Sequence, residues 1–374
     1  MTTSPIGVYV HIPYCIRKCS YCDFCSLPCG ESGVPESYVD RLCEEILCYK
    51  GDSKIPASTL FFGGGTPSLL SPLQLKKIVS ALNLVLDFTS DLEFTLEANP
   101  GTVDKEKLFE FRKLGVNRLS FGMQSMHSNE LLALGRIHSH LELLEAVRLA
   151  REVGFDNVSC DLMYGIPYQT KESFLSTLNS LVALSPEHIS VYGLMIEEGT
   201  PFYAMRDKLP LPSEDDEADM FYLADSILTK AGYLHYEISN YARAGRESRH
   251  NLKYWSASEY LGFGAAASSY YIGQRFTNTA VVSEYLKNNG VSYTIEESMT
   301  VSDLEYEYAM LNLRLKSGIS LSEYKSRFGK DFTLGREEVI DRLSSFGLLV
   351  CDGERLSLSV KGFYLSNTVL TELL

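Results

Sequence analysis

Five of the nine cysteines, Cys15, Cys19, Cys22, Cys25 and Cys29, crowd into one short stretch near the N-terminus. Such crowding points to a metal rather than to disulfides where thiols are kept reduced. The spacing of Cys15, Cys19 and Cys22 suits a short loop wrapped around one face of a cubane cluster. Three thiolates then hold three irons, and the fourth iron stays open to an exogenous ligand. Two other readings stand beside this one. Structural zinc wants two well-separated pairs of ligands, and neither a distant second pair nor a suitably placed histidine completes them. Reduced thiols without any metal are the plainer alternative. Either Cys25 or Cys29 could add a fourth thiolate, and both are read as bystanders.

Further groups with chemical capacity lie at the ends of apolar runs. Gly63-Gly64-Gly65-Thr66-Pro67 offers a backbone that a ligand can approach, with a proline stiffening the exit. Glu97 could accept hydrogen bonds from ribose hydroxyls or an ammonium, or simply be a loop acid. Gln124 ends another run, and Arg136 could fork onto a carboxylate. Asp161 stands inside an apolar run, where an unpaired carboxylate is costly, so it meets a donor or faces a ligand. His250-Asn251-Leu252-Lys253-Tyr254-Trp255 contains the only tryptophan and one of seven histidines. On a helix His250 and Tyr254 would share a face. Imidazole is a common axial ligand of haem iron and aromatic rings pack on porphyrins, but the plainer reading is a histidine held by ordinary hydrogen bonds. The small residues from Leu261 to Ser269 read as a loop where a backbone could approach a large flat ligand.

The elements that must position these groups alternate along the chain. Strand-like runs fall at 7–12, 59–62, 92–96, 118–121, 158–163 and 189–194, with helical patterns between them and a further helix at about 215–231. This is the signature of parallel strands with crossover helices. An eight-unit barrel needs ~250 residues, so six units over a shorter stretch predict an open, partial barrel, with its site at the carboxyl ends of the strands. The acidic run Glu214–Glu217 is read as a solvated helix N-terminus. Beyond 299, Ser302 and Glu305 form a capping box, Ser320 and Glu323 repeat it, and Asp352-Gly353 marks a hairpin. Three helices and a hairpin predict a winged-helix-like α+β module. The division expected is 1–235 barrel, 236–298 extension carrying the histidine segment, and 299–374 terminal module.

The lead-in Tyr9-Val-His-Ile-Pro-Tyr14 with Cys15-Ile-Arg-Lys-Cys19-Ser-Tyr-Cys22 resembles the cluster loop of the radical S-adenosylmethionine (SAM) superfamily. Within it, the likeness is to the group of oxygen-independent coproporphyrinogen III oxidases and HemW-type haem chaperones. The resemblance implies an α/β fold with a partial (β/α)6 TIM-like barrel, and a [4Fe–4S] cluster on Cys15, Cys19 and Cys22 whose open iron is chelated by SAM. It implies SAM contacts from Tyr9, Gly64, Gly65, Thr66, Glu97, Gln124, Arg136 and Asp161, and haem contacts from His250, Tyr254 and Trp255. The oxidase pattern has a further cysteine two residues after the third, where this chain has Phe24. That departure, Asp23-Phe24 and the short N-terminal arm resemble the chaperones. The function implied is haem binding and transfer to acceptor haemoproteins such as respiratory enzymes. The alternative is radical decarboxylation of coproporphyrinogen propionates, so whether the chain is an enzyme stays open. The family also implies monomers that can dimerise around the cluster.

Charge narrows the partners. Lys plus Arg number 34 against 48 Asp plus Glu, a net charge of −14. An acidic chain repels phosphate backbones, which disfavours nucleic acid and a third reading, radical modification of tRNA. The terminal module carries nine basic against eleven acidic residues and has no basic footprint. No secretory signal is visible and no apolar run reaches the ~18 residues of a membrane span, so a cytoplasmic setting without a membrane anchor is expected.

Overall fold

The strands of the alternating region are two-faced. In Arg118-Leu119-Ser120-Phe121 and Ser159-Cys160-Asp161-Leu162, apolar and polar residues strictly alternate, and the two sets point to opposite sides of the sheet. Leu119, Phe121, Cys160 and Leu162 are fully buried in the main hydrophobic core with the helices. The polar set turns inward, so the barrel lumen is lined by hydroxyls, carboxyls and imidazoles.

This computed structural model describes residues 4–288, 293–295 and 299–374. The strands are β1 (Ile6–Ile12), β2 (Ile55–Gly64), β3 (Leu86–Ala98), β4 (Arg118–Gln124), β5 (Val158–Tyr164) and β6 (His188–Gly193), all hydrogen-bonded in parallel in that order. Between them run α1 (Glu36–Leu47), α2 (Pro72–Val85), α3 (Lys105–Lys113), α4 (His140–Glu152) and α5 (Lys171–Leu184), and α6 (Glu214–Lys230) follows β6. Ser71, Asp104, Ser139, Thr170 and Ser213 cap five of these helices with their side chains. The four acids Glu214–Glu217 occupy the first turn of α6, where the helix dipole favours them.

Two elements beyond α6 bear on the site. The helix α7 (Arg249–Trp255) is capped by Ser248 and, at its amides, by the carboxylate of Glu93 on β3. The segment read as a ligand-approaching loop contains a seventh parallel strand, β7 (Tyr260–Phe263), which pairs with the free edge of β1. Its glycines serve packing: a Cβ on Gly262 would lie 2.2 Å from the Ser268 carbonyl oxygen.

The C-terminal part has its own hydrophobic core, built on Tyr308, Leu313, Ile319, Leu356 and Phe363. A three-stranded sheet of Ile319–Ser320, Arg355–Leu358 and Leu349–Cys351 packs with the helices Val301–Asn312, Leu321–Phe328 and Glu337–Ser345. The capping box of its first helix is Thr300 with Asp303, two residues before the one expected, because Ser302 already lies inside the helix. That helix also ends at Asn312, short of Gly318.

Candidate functional site

A cavity of about 350 Å³ opens at the carboxyl ends of the strands and gathers most of the residues singled out above. Cys15, Cys19 and Cys22 line it from the loop after β1. Gly64, Gly65 and Thr66 come from the end of β2, Glu97 from β3, Gln124 from β4, Arg136 from the following loop and Asp161 from β5. Tyr9 lies one wall away, lining a second cavity of about 370 Å³ that shares Phe24, Gly64 and Glu97 with the first.

Cys25 and Cys29 have surroundings different from those of Cys15, Cys19 and Cys22. Cys25 lines the second cavity, and its thiol donates to the Ala280 carbonyl (3.1 Å). Cys29 donates to the Cys15 carbonyl (3.3 Å). Donors aim instead at the other sulfurs: the Thr66 hydroxyl at Cys15 (3.4 Å) and an Arg136 N–H at Cys19 (3.7 Å). Burial pushes the Cys15 and Cys22 thiols up from their ordinary value, so a cationic centre is needed to hold them as thiolates. Among the described residues no three Cys, His, Asp or Glu converge on one point for a single ion. A cubane asks for another arrangement, three thiolates on one wall each facing its own iron. The donor set therefore fits an iron–sulfur cluster.

The glycines also meet a local packing requirement. A Cβ on Gly65 would lie 2.6 Å from the Tyr14 carbonyl oxygen, and Gly64 (φ +108°) would drive one to 2.4 Å from the His11 ring. Their smallness lets the end of β2 pass against the root of the cysteine loop.

Around the cavity the polar groups are held in place but not consumed. Glu97 accepts the Gly64 amide (3.2 Å) and is pushed up to about 8 by desolvation first and then by Asp161. Asp161 is raised by burial, against hydrogen bonds from Ser190 and Ser120, the latter 3.3 Å away. Arg136 donates to Gly122 (2.5 Å) and Asn99 (3.2 Å), yet its buried Nε has no partner. Two carboxyls, an incompletely paired guanidinium and an apolar wall fit a ligand bearing both ammonium and carboxylate, as SAM does. Gln124 sits at φ +66°, a strained region for a side-chain-bearing residue, and accepts the Tyr192 hydroxyl (2.9 Å). Tyr192 and Tyr21, which also line the cavity, escaped the sequence reading. Tyr192 is two residues past Ser190 on the inward face of β6, so strict alternation was the signal available.

His250, Tyr254 and Trp255 lie elsewhere. His250 is 2% exposed, its Nδ1 paired with the Thr59 hydroxyl (2.8 Å) and its Nε2 with the Tyr254 hydroxyl (2.8 Å). Its ring stacks on Phe61 at 5.1 Å, closing the lumen opposite the cysteines. Desolvation, then Lys253 and Arg118, lower it to about 3. Tyr254 lines the second cavity and stands between it and His250. Trp255 faces the Arg314 guanidinium of the C-terminal part, 5.3 Å from its ring centroid.

Comparison with known proteins adds the following. Residues 9–181 match the Radical SAM superfamily and residues 300–365 the HemN C-terminal domain. The chain is 38% identical over 370 residues to "Heme chaperone HemW" of Bacillus subtilis, covering 97% of each chain. It is 36% identical over 378 residues to the protein of that name from Lactococcus lactis, covering 100% of this chain and 98% of that one. Its fold is similar to the solved structure of coproporphyrinogen III oxidase (HemN) from Escherichia coli, with a TM-score of 0.85, 24% identity, and 99% and 90% of the two chains covered.

Proposed function

Because the chain belongs to the HemW family within the radical SAM superfamily, we propose that it is a haem chaperone, binding haem and passing it to acceptor haemoproteins. The observation that carries this reading is identity above one third along the whole chain to proteins of that name. The side chain at Phe24, where the oxidase pattern has cysteine, supports it.

Cys15, Cys19 and Cys22 would hold the [4Fe–4S] cluster, and Tyr9, Gly64, Gly65, Thr66, Glu97, Gln124, Arg136 and Asp161 would surround SAM. Bound there, the pair supplies reductive cleavage of a carbon–sulfur bond. The chain's own contribution is orientation. Thr66 and Arg136 donate toward the sulfurs, Glu97 and Asp161 would accept from the cofactor, and Tyr192 holds the strained Gln124. Tyr21 and the buried Met163 add apolar bulk to the cavity wall, which leaves less room for water.

For the cargo, His250 becomes an iron ligand when Tyr254 yields Nε2, the second cavity being the route to it. The neutral ring asks for no proton to leave first, since its low proton affinity keeps it uncharged at physiological pH. Trp255 acts from behind, tying this helix to the C-terminal part. The barrel of 1–235 and the extension of 236–298 share one sheet and one hydrophobic core, whereas the module of 299–374 has its own, which supports the last boundary. Among the described residues no helix is long and apolar enough to cross a membrane. We place the protein in the cytoplasm, with respiratory haemoproteins as acceptors and a dimer around the cluster.

The test pairs two assays on cluster-loaded protein under anaerobic conditions. Haem-loaded protein is expected to deliver haem to an apo-haemoprotein, while coproporphyrinogen with SAM and reductant keeps its mass. Catalytic loss of two carboxyl groups would overturn the chaperone reading in favour of the decarboxylase.

A further inference from the structure

Arg118 opens the inward face of β4 and is 2% exposed. Strand register places it in a definite layer. It lies opposite Thr95 on β3, and Ser120, the next inward residue, lies opposite Glu97. Ser120 in turn donates to Asp161 (3.3 Å). Asp161 lies opposite Gly122, so Arg118 sits one inward residue beneath the level of Glu97 and two beneath that of Asp161.

Its bonding is sparse for a buried guanidinium with five N–H donors. Nη1 makes a long contact to the Thr95 hydroxyl (3.4 Å), and Nε has no partner. Among the described residues no carboxylate forms an ion pair with it. A guanidinium cannot shed its charge by deprotonating, so its field falls on whatever surrounds it.

We propose that Arg118 is a positioning residue of the cofactor site: its buried charge, on the inward face beneath Glu97 and Asp161, opposes their neutralisation and so holds a larger share of each ionised for the cationic SAM. The proposal rests on the reading of these two acids as cofactor contacts. Burial drives both carboxyls toward the neutral form, with repulsion from Asp161 adding to it at Glu97, and Arg118 opposes that drive at each. The other groups facing them are Tyr9 from β1, Tyr21 from the cysteine loop, Arg136 from the loop after β4, Tyr192 from β6 and Tyr254 from α7. Of these only Arg136 is cationic; three of its contacts turn to Cys19, Asn99 and Gly122 while its Nε stays unpaired. His188 and His250, beside Arg118, are held neutral by burial first and by Arg118 as well.

The experiment is a titration of SAM into cluster-loaded protein, read from the change in the EPR signal of the reduced cluster, at pH values from about 6.5 to about 9.5. Raising a carboxyl by one pKa unit lowers its ionised fraction about tenfold below that pKa. R118M is therefore expected to bind SAM about tenfold more weakly at neutral pH and to approach the wild type at the alkaline end. R118K, which keeps a charge, is expected to stay within about threefold throughout. If R118M does not fold, R118Q takes its place, since glutamine can still bond Thr95. Superimposable profiles for the neutral variant and the wild type overturn the proposal. So does a deficit of the same factor at every pH, which is the mark of a packing defect. E97Q and D161N, titrated alongside, are expected to bind SAM weakly. Wild-type affinity in both would instead refute the carboxyls as cofactor contacts, an outcome distinct from failure of Arg118 alone.

Discussion

Tyr254→Phe isolates the haem reading most cleanly. The phenol oxygen is 2.8 Å from His250 Nε2, and Thr59 holds Nδ1 at the same distance. A neutral imidazole has one donor and one acceptor nitrogen, so the hydroxyl that meets Nε2 competes with iron for it. The net worth of such a bond is about 0.5–1.5 kcal/mol, and a buried acceptor left unpaired costs about 1–3 kcal/mol. The variant should therefore unfold at lower urea, by roughly 1–2 kcal/mol without haem. With haem the sign reverses: removing a competitor worth about 1–1.4 kcal/mol raises affinity roughly fivefold to tenfold. Haem titrated into wild type and Tyr254→Phe, followed by its Soret absorbance, gives both dissociation constants. His250→Gln in the Tyr254→Phe background should abolish the gain. A folded Tyr254→Phe protein with unchanged or weaker haem affinity refutes ligation by His250 through displacement of Tyr254. The histidine would then be a strut that joins α7 to β2.

Two further outcomes are expected. Cys15→Ser, Cys19→Ser or Cys22→Ser should lose most cluster iron, whereas Cys25→Ser and Cys29→Ser should retain it, as measured by iron content and the visible absorption of the cluster. The pH dependence of folding stability should have a maximum near pH 6.5, checked by urea unfolding across pH. His11, His138, His188 and His250 are all lowered, chiefly by burial, His138 to about 4. The unfolded chain therefore binds more protons below about pH 6.5, and stability falls as pH falls, by up to about 1.4 kcal/mol per pH unit for each histidine. Glu97 and Glu237, raised to about 8 and about 7 by burial, act in the opposite sense and lower stability as pH rises through those values. A flat profile between about pH 5 and pH 8 would contradict both assignments.

The strands and most helices were legible because their signals are local. An apolar run bounded by turns marks each strand, and Ser71, Ser139 and Thr170 mark helix starts that the structure caps as capping boxes. What escaped is the second face of the strands. Thr59, Ser120, Ser159 and Ser190 pass unnoticed inside runs dominated by apolar neighbours, although their alternation announces a polar lumen. Asp161 looked isolated in sequence, yet Ser120 and Ser190 on adjacent strands supply its donors. The strand Tyr260–Phe263 left no readable trace, being short and glycine-bearing, and its pairing with β1 depends on residues far away in sequence. His250 was read in the local frame of its helix. Its pairing with Tyr254 follows from that frame, whereas the bond to Thr59 is a fact of tertiary structure.

That late strand sets a timetable for synthesis. Gly7–Val10 pair on one side with β2, which follows soon, and on the other with Tyr260–Phe263. At ~5–20 residues per second, the second partner arrives roughly 13–50 s after the first strand has left the ribosome. Through that interval one row of backbone amides and carbonyls of β1 has no strand beside it, a template for pairing with another chain. The same strand leads directly into the cysteine loop. The chain therefore folds with its cofactor end attached to its last-closed edge, and the yield of native protein depends on how well nascent chains are kept apart until residue 263 emerges.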